Sequence, residues 1–205
     1  MKIAIIGSGN VGGALATKWS AANHEIFLGV RDINSFKGIA LLKNPNTKAC
    51  SITDAVKQAE IIVIATPATL AAEISQSLGD TTGKIIIDTC NIVMGRGPVG
   101  FTNVSECILA NTQTKDVVKC FNSTGFNNML NTVYNNQKID MYVAGDSVKG
   151  KEVAKQLSLD AGFENCYDIG GNDKFQLLEQ YAFFWINLAM FQGHGREIAF
   201  KLLKR

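Results

Sequence analysis

Near the start of the chain lies the stretch Ile3-Ala4-Ile5-Ile6-Gly7-Ser8-Gly9-Asn10-Val11-Gly12. A short apolar run leads into the spacing G-x-G-x-x-G and then into a helical pattern, as in dinucleotide-binding βα units. In such a unit Gly7 makes the turn out of the strand, Gly9 lets the backbone approach a pyrophosphate, and Gly12 lets the helix lie close to the sheet. Free N–H groups at the helix N-terminus favour the phosphates. The predicted cofactor-binding loop therefore contains Gly7, Ser8, Gly9, Asn10, Val11 and Gly12.

The rest of the chain alternates short β-branched runs with amphipathic segments. This pattern predicts an α/β fold of the Rossmann type, with a doubly wound, mostly parallel sheet. The predicted strands cover 2–6, 25–30, 47–50, 60–66, 84–88, 116–121, 139–144 and 163–168, and the predicted helices cover 11–22, 53–58, 69–78, 103–111 and 148–160. We expect one domain over 1–205, with the dinucleotide-binding sheet in 1–170 and a C-terminal helical segment in 171–205.

The segment from Asp173 to Gln192 differs from the rest because apolar residues occur on nearly all sides of its predicted helix. Gly193-His194-Gly195 ends this helix, and a short amphipathic tail over 196–203 follows. In a chain this short, the sheet and one helix layer cover only part of such a helix. We therefore predict a homodimer in which the same helix of a second subunit covers the remainder. A fully buried core helix in a monomer is the alternative.

Composition excludes several classes of partner. The 205 residues are 46% apolar, which excludes a disordered chain. The net charge is +2 and the basic residues are scattered, which argues against nucleic acid as a binding partner. The five cysteines form no C-x-x-C pair and have no histidine at metal-ligand spacing, so we expect reduced thiols in a cytoplasmic protein and no metal. No apolar stretch reaches the ~20 residues that a bilayer crossing needs, so we expect no membrane partner.

The end of the second predicted strand decides between NAD and NADP. An NAD-binding protein usually has an acidic residue there, which binds the ribose hydroxyls. Val30 occupies this position and Arg31 follows, and a guanidinium can pair with a 2′-phosphate. Lys37 is a candidate second phosphate ligand. NADP is therefore favoured, although NAD stays possible, because a shift of one residue would make Asp32 an acidic ribose ligand.

The nicotinamide is expected beyond the carboxyl ends of the later strands, where open α/β sheets bind ligands. Thr66-Pro67-Ala68 follows one buried strand and resembles a wall for the nicotinamide ribose. Asn91 and Asn122 follow two other strands and could orient an amide of the cofactor or the substrate. Each asparagine could equally stabilise a turn of its own.

No catalytic residue is identified from the sequence. Of the two histidines, His24 precedes the second predicted strand, where a surface role is expected, and His194 lies in the Gly-His-Gly turn. No histidine–aspartate pair or isolated lysine is placed to move a proton to or from an alcohol. Hydride transfer to a flavin or deazaflavin ring needs proximity and alignment more than a protein acid, so the sequence favours such an acceptor.

Several motifs together resemble one family. They are Gly7-Ser8-Gly9-Asn10-Val11-Gly12, His24-Glu25-Ile26, Gly29-Val30-Arg31, Val117-Val118-Lys119-Cys120-Phe121-Asn122-Ser123-Thr124-Gly125, Ala144-Gly145-Asp146, Asp160-Ala161-Gly162-Phe163 and Leu178-Glu179. The chain resembles NADP oxidoreductases that depend on the deazaflavin coenzyme F420, and it is similar to the cytosolic domains of six-transmembrane metalloreductases. The family usually has serine at Val30, a second basic residue at Asp32 and proline at Ile92.

The resemblance implies NADP(H) binding, hydride transfer to a bound planar ring and a homodimer. It assigns cofactor binding to Ser8, Gly9, Asn10, Arg31 and the Thr66-Pro67-Ala68 turn. We therefore predict an NAD(P)-dependent oxidoreductase with a small-molecule electron acceptor of the flavin or deazaflavin type. A reductase of a small carbonyl or imine, and a non-catalytic NAD(P) sensor, are the two alternatives.

Overall fold

The computed structural model describes all 205 residues as one alternation of strands and helices. The strands are β1 (Lys2–Ile6), β2 (Glu25–Val30), β3 (Thr47–Ser51), β4 (Ile61–Ile64), β5 (Ile85–Asp88), β6 (Val117–Cys120), β7 (Val133–Tyr134), β8 (Gln137–Lys138), β9 (Met141–Ala144) and β10 (Cys166–Asp168). The α-helices are α1 (Asn10–Ala21), α2 (Ile52–Gln58), α3 (Ala71–Ser77), α4 (Val104–Ala110), α5 (Phe126–Leu130), α6 (Val148–Asp160) and α7 (Phe175–Ile186).

Eight strands form one sheet in the order β10-β9-β6-β5-β4-β1-β2-β3, and β7 and β8 form a separate hairpin. Every neighbouring pair in the sheet is parallel except β6 and β9. The predicted doubly wound, mostly parallel fold is confirmed. The carboxyl ends of β1, β2, β4, β5 and β6 therefore meet at one edge of the sheet, where a ligand is expected.

Two apolar layers cover the sheet. One layer contains Leu15 and Trp19 of α1 and Leu157 of α6, and the other contains Val56 of α2 and Ile108 of α4. The central strands are buried on both faces, which explains their continuous apolar runs. The strand predicted over 163–168 is shorter than expected, since β10 begins only at Cys166 and Phe163 packs into the core beside Phe121.

The C-terminal segment is less helical than the sequence predicts. The helix expected from Asp173 to Gln192 is a 3-10 turn (Asn172–Lys174), then α7, then a π turn (Asn187–Phe191). The residues beyond it form no regular element, because side chains hold their backbone instead: Ile198 O accepts hydrogen bonds from Trp185 Nε1 (2.6 Å) and Asn128 Nδ2 (2.7 Å). None of the helices combines the length and apolar character that crossing a membrane requires.

Candidate functional site

The glycine loop between β1 and α1 has the geometry that its spacing predicts. Gly7 has a φ of +104°, and a Cβ there would lie 2.4 Å from Ala65 O, so no side chain fits. A Cβ on Gly12 would lie 2.0 Å from Gly7 O, which shows how closely α1 approaches the turn. At Gly9, by contrast, a Cβ would meet no atom within 4 Å. The protein itself thus leaves the space beside Gly9 open, as a phosphate cradle requires.

A cleft of about 600 Å³ opens at the carboxyl edge of the sheet, above this loop. Nine of the predicted cofactor residues line it: Gly7, Ser8, Gly9, Val30, Arg31, Asp32, Lys37, Thr66 and Pro67. The other five do not line it: Asn10 is the exposed first residue of α1, Val11, Gly12 and Ala68 pack behind the walls, and Asn91 lies further along the edge. Ser35, Phe36 and Leu70 also line the cleft, although the sequence did not single them out.

The ribose end of the cleft carries two cations without an acidic partner. Neither Arg31 nor Lys37 has a carboxylate within 4.0 Å, and Ser8 Oγ donates to Lys37 O, which joins the glycine loop to the 31–38 loop. Asp32 Oδ1 accepts from Asn34 N at 2.9 Å, so this carboxylate closes its own turn. The arrangement favours an anion at this end.

The wall at the end of β4 contains a hydroxyl without a partner. Thr66 Oγ1 is buried and forms no hydrogen bond. The backbone of Thr66 is held from the next strand, because Cys90 Sγ donates to Thr66 O at 3.1 Å. Burial, and next the nearby Asp88 carboxylate, raise the pKa of the Cys90 thiol well above its ordinary value, so the thiol stays protonated and able to donate.

Asn91 and Asn122, predicted as polar groups at two strand ends, lie against each other. Asn122 Nδ2 donates to Asn91 Oδ1 (2.8 Å) and to Leu178 O of α7 (3.2 Å), and Asn91 Nδ2 donates to Asn122 O (2.9 Å). The residue before Asn122 is Phe121, whose φ of +60° is rare for a bulky residue. The Oδ1 atom of Asn122 is buried without a hydrogen-bond partner. Neither asparagine side chain forms a turn with its own backbone, which was the alternative.

Behind this pair lies a buried charge cluster that was not predicted from the sequence. Lys119 Nζ lies 2.5 Å from Asp88 Oδ2 and 2.9 Å from Glu179 Oε1, and it donates to Cys90 O at 2.9 Å. The side chains of Lys119 and Asp88 are fully buried, and that of Glu179 is 5% exposed. Burial alone would lower the pKa of Lys119, but the two carboxylates outweigh it and raise the pKa. The ammonium therefore stays charged, with all three of its donors used.

Each carboxylate of this cluster also holds backbone N–H groups. Asp88 Oδ1 accepts from Cys90 N (2.8 Å), and Asp88 Oδ2 accepts from Ser105 Oγ (2.6 Å). Glu179 accepts from Ile92 N (2.8 Å) and from Val104 N (2.9 Å). The turn after β5 is thus bound on both sides of Asn91, from β6 and from α7.

The two histidines lie away from this edge. His24 is only 6% exposed, so the expected surface role is wrong: Nε2 pairs with Asp160 Oδ2 at 2.9 Å and Nδ1 faces the amino group of Met1 at 3.2 Å. Its partner Asp160, at the end of α6, draws the ring inward. His194 is exposed in its glycine turn, as expected. Neither side chain belongs to the cleft.

The comparison with known families agrees with this geometry. Residues 2–92 match the family described as NADP oxidoreductase, coenzyme F420-dependent. The resemblance predicted from the sequence is therefore confirmed, and the matched segment carries β1, the glycine loop and the strand ends up to Ile92. A glycerol-3-phosphate dehydrogenase [NAD(P)+] of Thermoanaerobacter sp. (strain X514) is 32% identical over 119 residues. The match covers 53% of this chain but only 36% of that relative, so the chain spans about a third of its length.

Solved structures share the fold. A protein of Arthrobacter sp. FB24, provisionally described as an F420-dependent NADP reductase, superposes with a TM-score of 0.85 at 24% identity, and each chain covers 100% of the other. The reductive aminase of Aspergillus terreus, solved with NADPH and ethyl-5-oxohexanoate, gives a TM-score of 0.68 at 16% identity, covering 94% of this chain and 63% of that one. The family and the named relatives are NAD(P)-dependent oxidoreductases, the class that the sequence predicts for this chain.

Proposed function

We propose that the protein binds NADP(H) in the cleft and transfers hydride between the nicotinamide and a flavin-type or deazaflavin-type acceptor. The observation that carries the cofactor choice is the ribose end, where Arg31 and Lys37 are free of carboxylates and Asp32 is used by its own turn. A 2′-phosphate offers charge-assisted hydrogen bonds to both cations, whereas NAD calls for a free acidic residue. The open space at Gly9 and the unpartnered Thr66 Oγ1 fit the rest of the cofactor.

Bound NADPH supplies a hydride from its nicotinamide C4. The residues of the chain bind and orient it: the loop around Gly9 and the first turn of α1 take the pyrophosphate. Pro67 and Thr66 form a wall beside the nicotinamide ribose. Asn91 lies further along the edge, where two hydrogen bonds to Asn122 hold its side chain. Because parallel strand ends meet at one edge, the groups that would hold the cofactor lie along one side of the sheet.

The acceptor is proposed from what the nicotinamide end offers. Lys119 uses all three donors within its cluster, and both histidines lie elsewhere, so none of these three side chains offers a proton at the nicotinamide end. A flavin or deazaflavin ring needs chiefly proximity and alignment. A second cavity of about 320 Å³, beginning at Ile92 and lined by Met94, Gln180 and Phe183 among others, is a suitable position for the second ring.

Reduction of a small carbonyl or imine is the second candidate. It is favoured by the shared fold with the reductive aminase of Aspergillus terreus. That reaction needs a proton donor, which the second subunit of a dimer could supply.

The deciding experiment is anaerobic NADPH oxidation, followed at the nicotinamide absorbance band. FMN, FAD, the deazaflavin coenzyme, ferric chelates, and a ketone mixed with an amine are offered in parallel. We expect turnover with a flavin or deazaflavin and a preference for NADPH over NADH. Turnover with the ketone and amine alone would move the assignment to imine reduction. Tight NADPH binding without turnover on any acceptor would identify a dinucleotide sensor instead.

We further propose that the protein is a cytoplasmic homodimer. All five cysteines are free thiols, which suits a reducing compartment. Large apolar side chains of α7 and the π turn face outward in the single chain, including Leu177, Phe184 and Phe191. A second copy of the same helix would cover them.

A further inference from the structure

The cluster of Asp88, Lys119 and Glu179 is an unusual choice for the interior of the fold. It holds one cation and two anions, and each of the three side chains is nearly or wholly buried. Removing charges from water is costly, and a buried ion pair often stabilises a protein no more than well-packed apolar residues would. A role in positioning neighbouring groups explains the cluster better than stability alone.

Every polar group that the cluster holds belongs to the nicotinamide end or to the start of α4. Cys90 is held through both its N–H and its C=O, and Ile92 is held through its N–H. Asn91 lies between these two fixed points, and its amide pairs with Asn122. The neighbour of Glu179 in α7, Leu178, accepts from Asn122 as well.

The cluster also reaches the cleft itself. Cys90, fixed at both backbone groups by Asp88 and Lys119, donates its thiol hydrogen to Thr66 O. Thr66 lines the cleft, and its hydroxyl is buried without a hydrogen-bond partner. A continuous path of hydrogen bonds thus runs from Glu179 on α7 through Lys119 and Cys90 to the cofactor wall.

We propose that Asp88, Lys119 and Glu179 are positioning residues for the nicotinamide half of the cofactor. They fix the backbone of Cys90 and Ile92. They thereby set the positions of Asn91 and Thr66 before the cofactor binds. The proposal rests on NADP(H) binding as proposed above. It assigns no contact with the cofactor to the cluster, and it leaves the adenosine half, bound by Arg31 and the glycine loop, independent of it. The two halves of the cofactor should therefore respond differently when the cluster is changed.

The test compares two ligands by calorimetry: NADPH, and 2′,5′-ADP, which lacks the nicotinamide half. Glu179→Gln and Asp88→Asn each remove one charge and leave a neutral pair with Lys119, but they replace one accepting oxygen with an amide NH2 that cannot accept from Ile92 N or Cys90 N. In both variants we expect at least a fivefold weaker affinity for NADPH and less than a twofold change for 2′,5′-ADP. Thr81→Val is the matched control, because it removes a buried network with Gln113 near the opposite end of β5. The control should lower the melting temperature and leave the ratio of the two affinities unchanged.

The possible results separate the proposals. A wild-type protein that binds neither ligand would overturn the proposed function. A wild-type protein that binds both, with an unchanged affinity ratio in Glu179→Gln and Asp88→Asn, would overturn only the positioning role. A lower melting temperature in these variants without a change in that ratio would show that the cluster stabilises the fold but does not position the cofactor. Selective loss of NADPH affinity in both variants supports the positioning role.

Discussion

At the scale of single residues, Gly9 and Gly13 make a matched pair near the start of α1. A methyl group on Gly9 meets no protein atom within 4 Å, so Gly9→Ala should fold normally while filling the space of the pyrophosphate. We expect NADPH to bind at least tenfold more weakly, a loss of about 1.4 kcal/mol or more. Gly13→Ala, whose methyl group would lie 3.6 Å from Leu41 and 4.0 Å from Ser8 O, should keep the affinity. Calorimetry decides, and equal affinities in both variants would exclude the loop as the phosphate site.

Arg31 should discriminate between the two nicotinamide cofactors. It lines the cleft without an acidic partner, so Arg31→Ala should cost about 1.5–3 kcal/mol of NADPH binding, the contribution of charge-assisted hydrogen bonds. NADH has no 2′-phosphate and should bind almost unchanged. Lys43→Ala, an exposed cation outside the cleft, is the control. Equal losses for NADPH and NADH would remove the discriminating role, and tighter NADH binding by the unaltered protein would favour Asp32 as the ribose ligand.

Lys119 shows which features of a single buried residue can be predicted from the sequence and which cannot. It lies inside the run Val117-Val118-Lys119-Cys120-Phe121, and a lysine in a strand buried on both faces must be paired. That signal was available and was missed. Its partners Asp88 and Glu179 come from distant elements, so only the fold identifies them. The glycine loop was predictable because its three glycines lie within residues 7–12, in one local unit.

At the scale of elements, the approach of α1 to β1 depends on Gly12. A Cβ there would lie 2.0 Å from the backbone oxygen of Gly7, so Gly12→Ala must push the helix away. We expect a loss of about 1–3 kcal/mol in the free energy of unfolding, as for other overpacked sites. Gly13→Ala in the same helix should instead be stabilising by about 0.5–1 kcal/mol. Urea unfolding of both variants is the measurement, and similar stabilities would contradict the close contact.

Some helices and strands could be predicted from the sequence, and others could not. Helix α6 has the predicted bounds, 148–160, because its helical pattern continues over a long stretch of sequence. Ser147 caps the helix by accepting a hydrogen bond from Gly150 N at 3.0 Å. Helix α5 and the β7–β8 hairpin were not predicted, since elements of five and two residues show no period. The helix predicted over 173–192 corresponds to helical turns that run without a break over 172–191, but apolar composition alone does not reveal that they begin as a 3-10 turn and end as a π turn.

At the scale of the whole molecule, α7 has one buried and one open face. Leu178, Ala182 and Trp185 pack inward, whereas Leu177 is 51% exposed and Phe191 of the following turn is 53% exposed. The expectation that one chain covers only part of this helix agrees with this division. Exposed apolar surface of this extent is typical of an interaction site, and a two-fold axis lets one helix cover its own copy.

The homodimer prediction can be tested on the intact protein. Light scattering at micromolar concentration should give about twice the mass of one 22.2 kDa chain. The double variant Leu177→Glu with Phe191→Glu changes side chains that are about half exposed, so it should yield a folded monomer without damaging the core. Leu159→Glu, on the outer side of α6 and 49% exposed, is the matched control and should stay dimeric. If the unaltered protein scatters as a single chain across a wide concentration range, the open face of α7 does not mediate self-association.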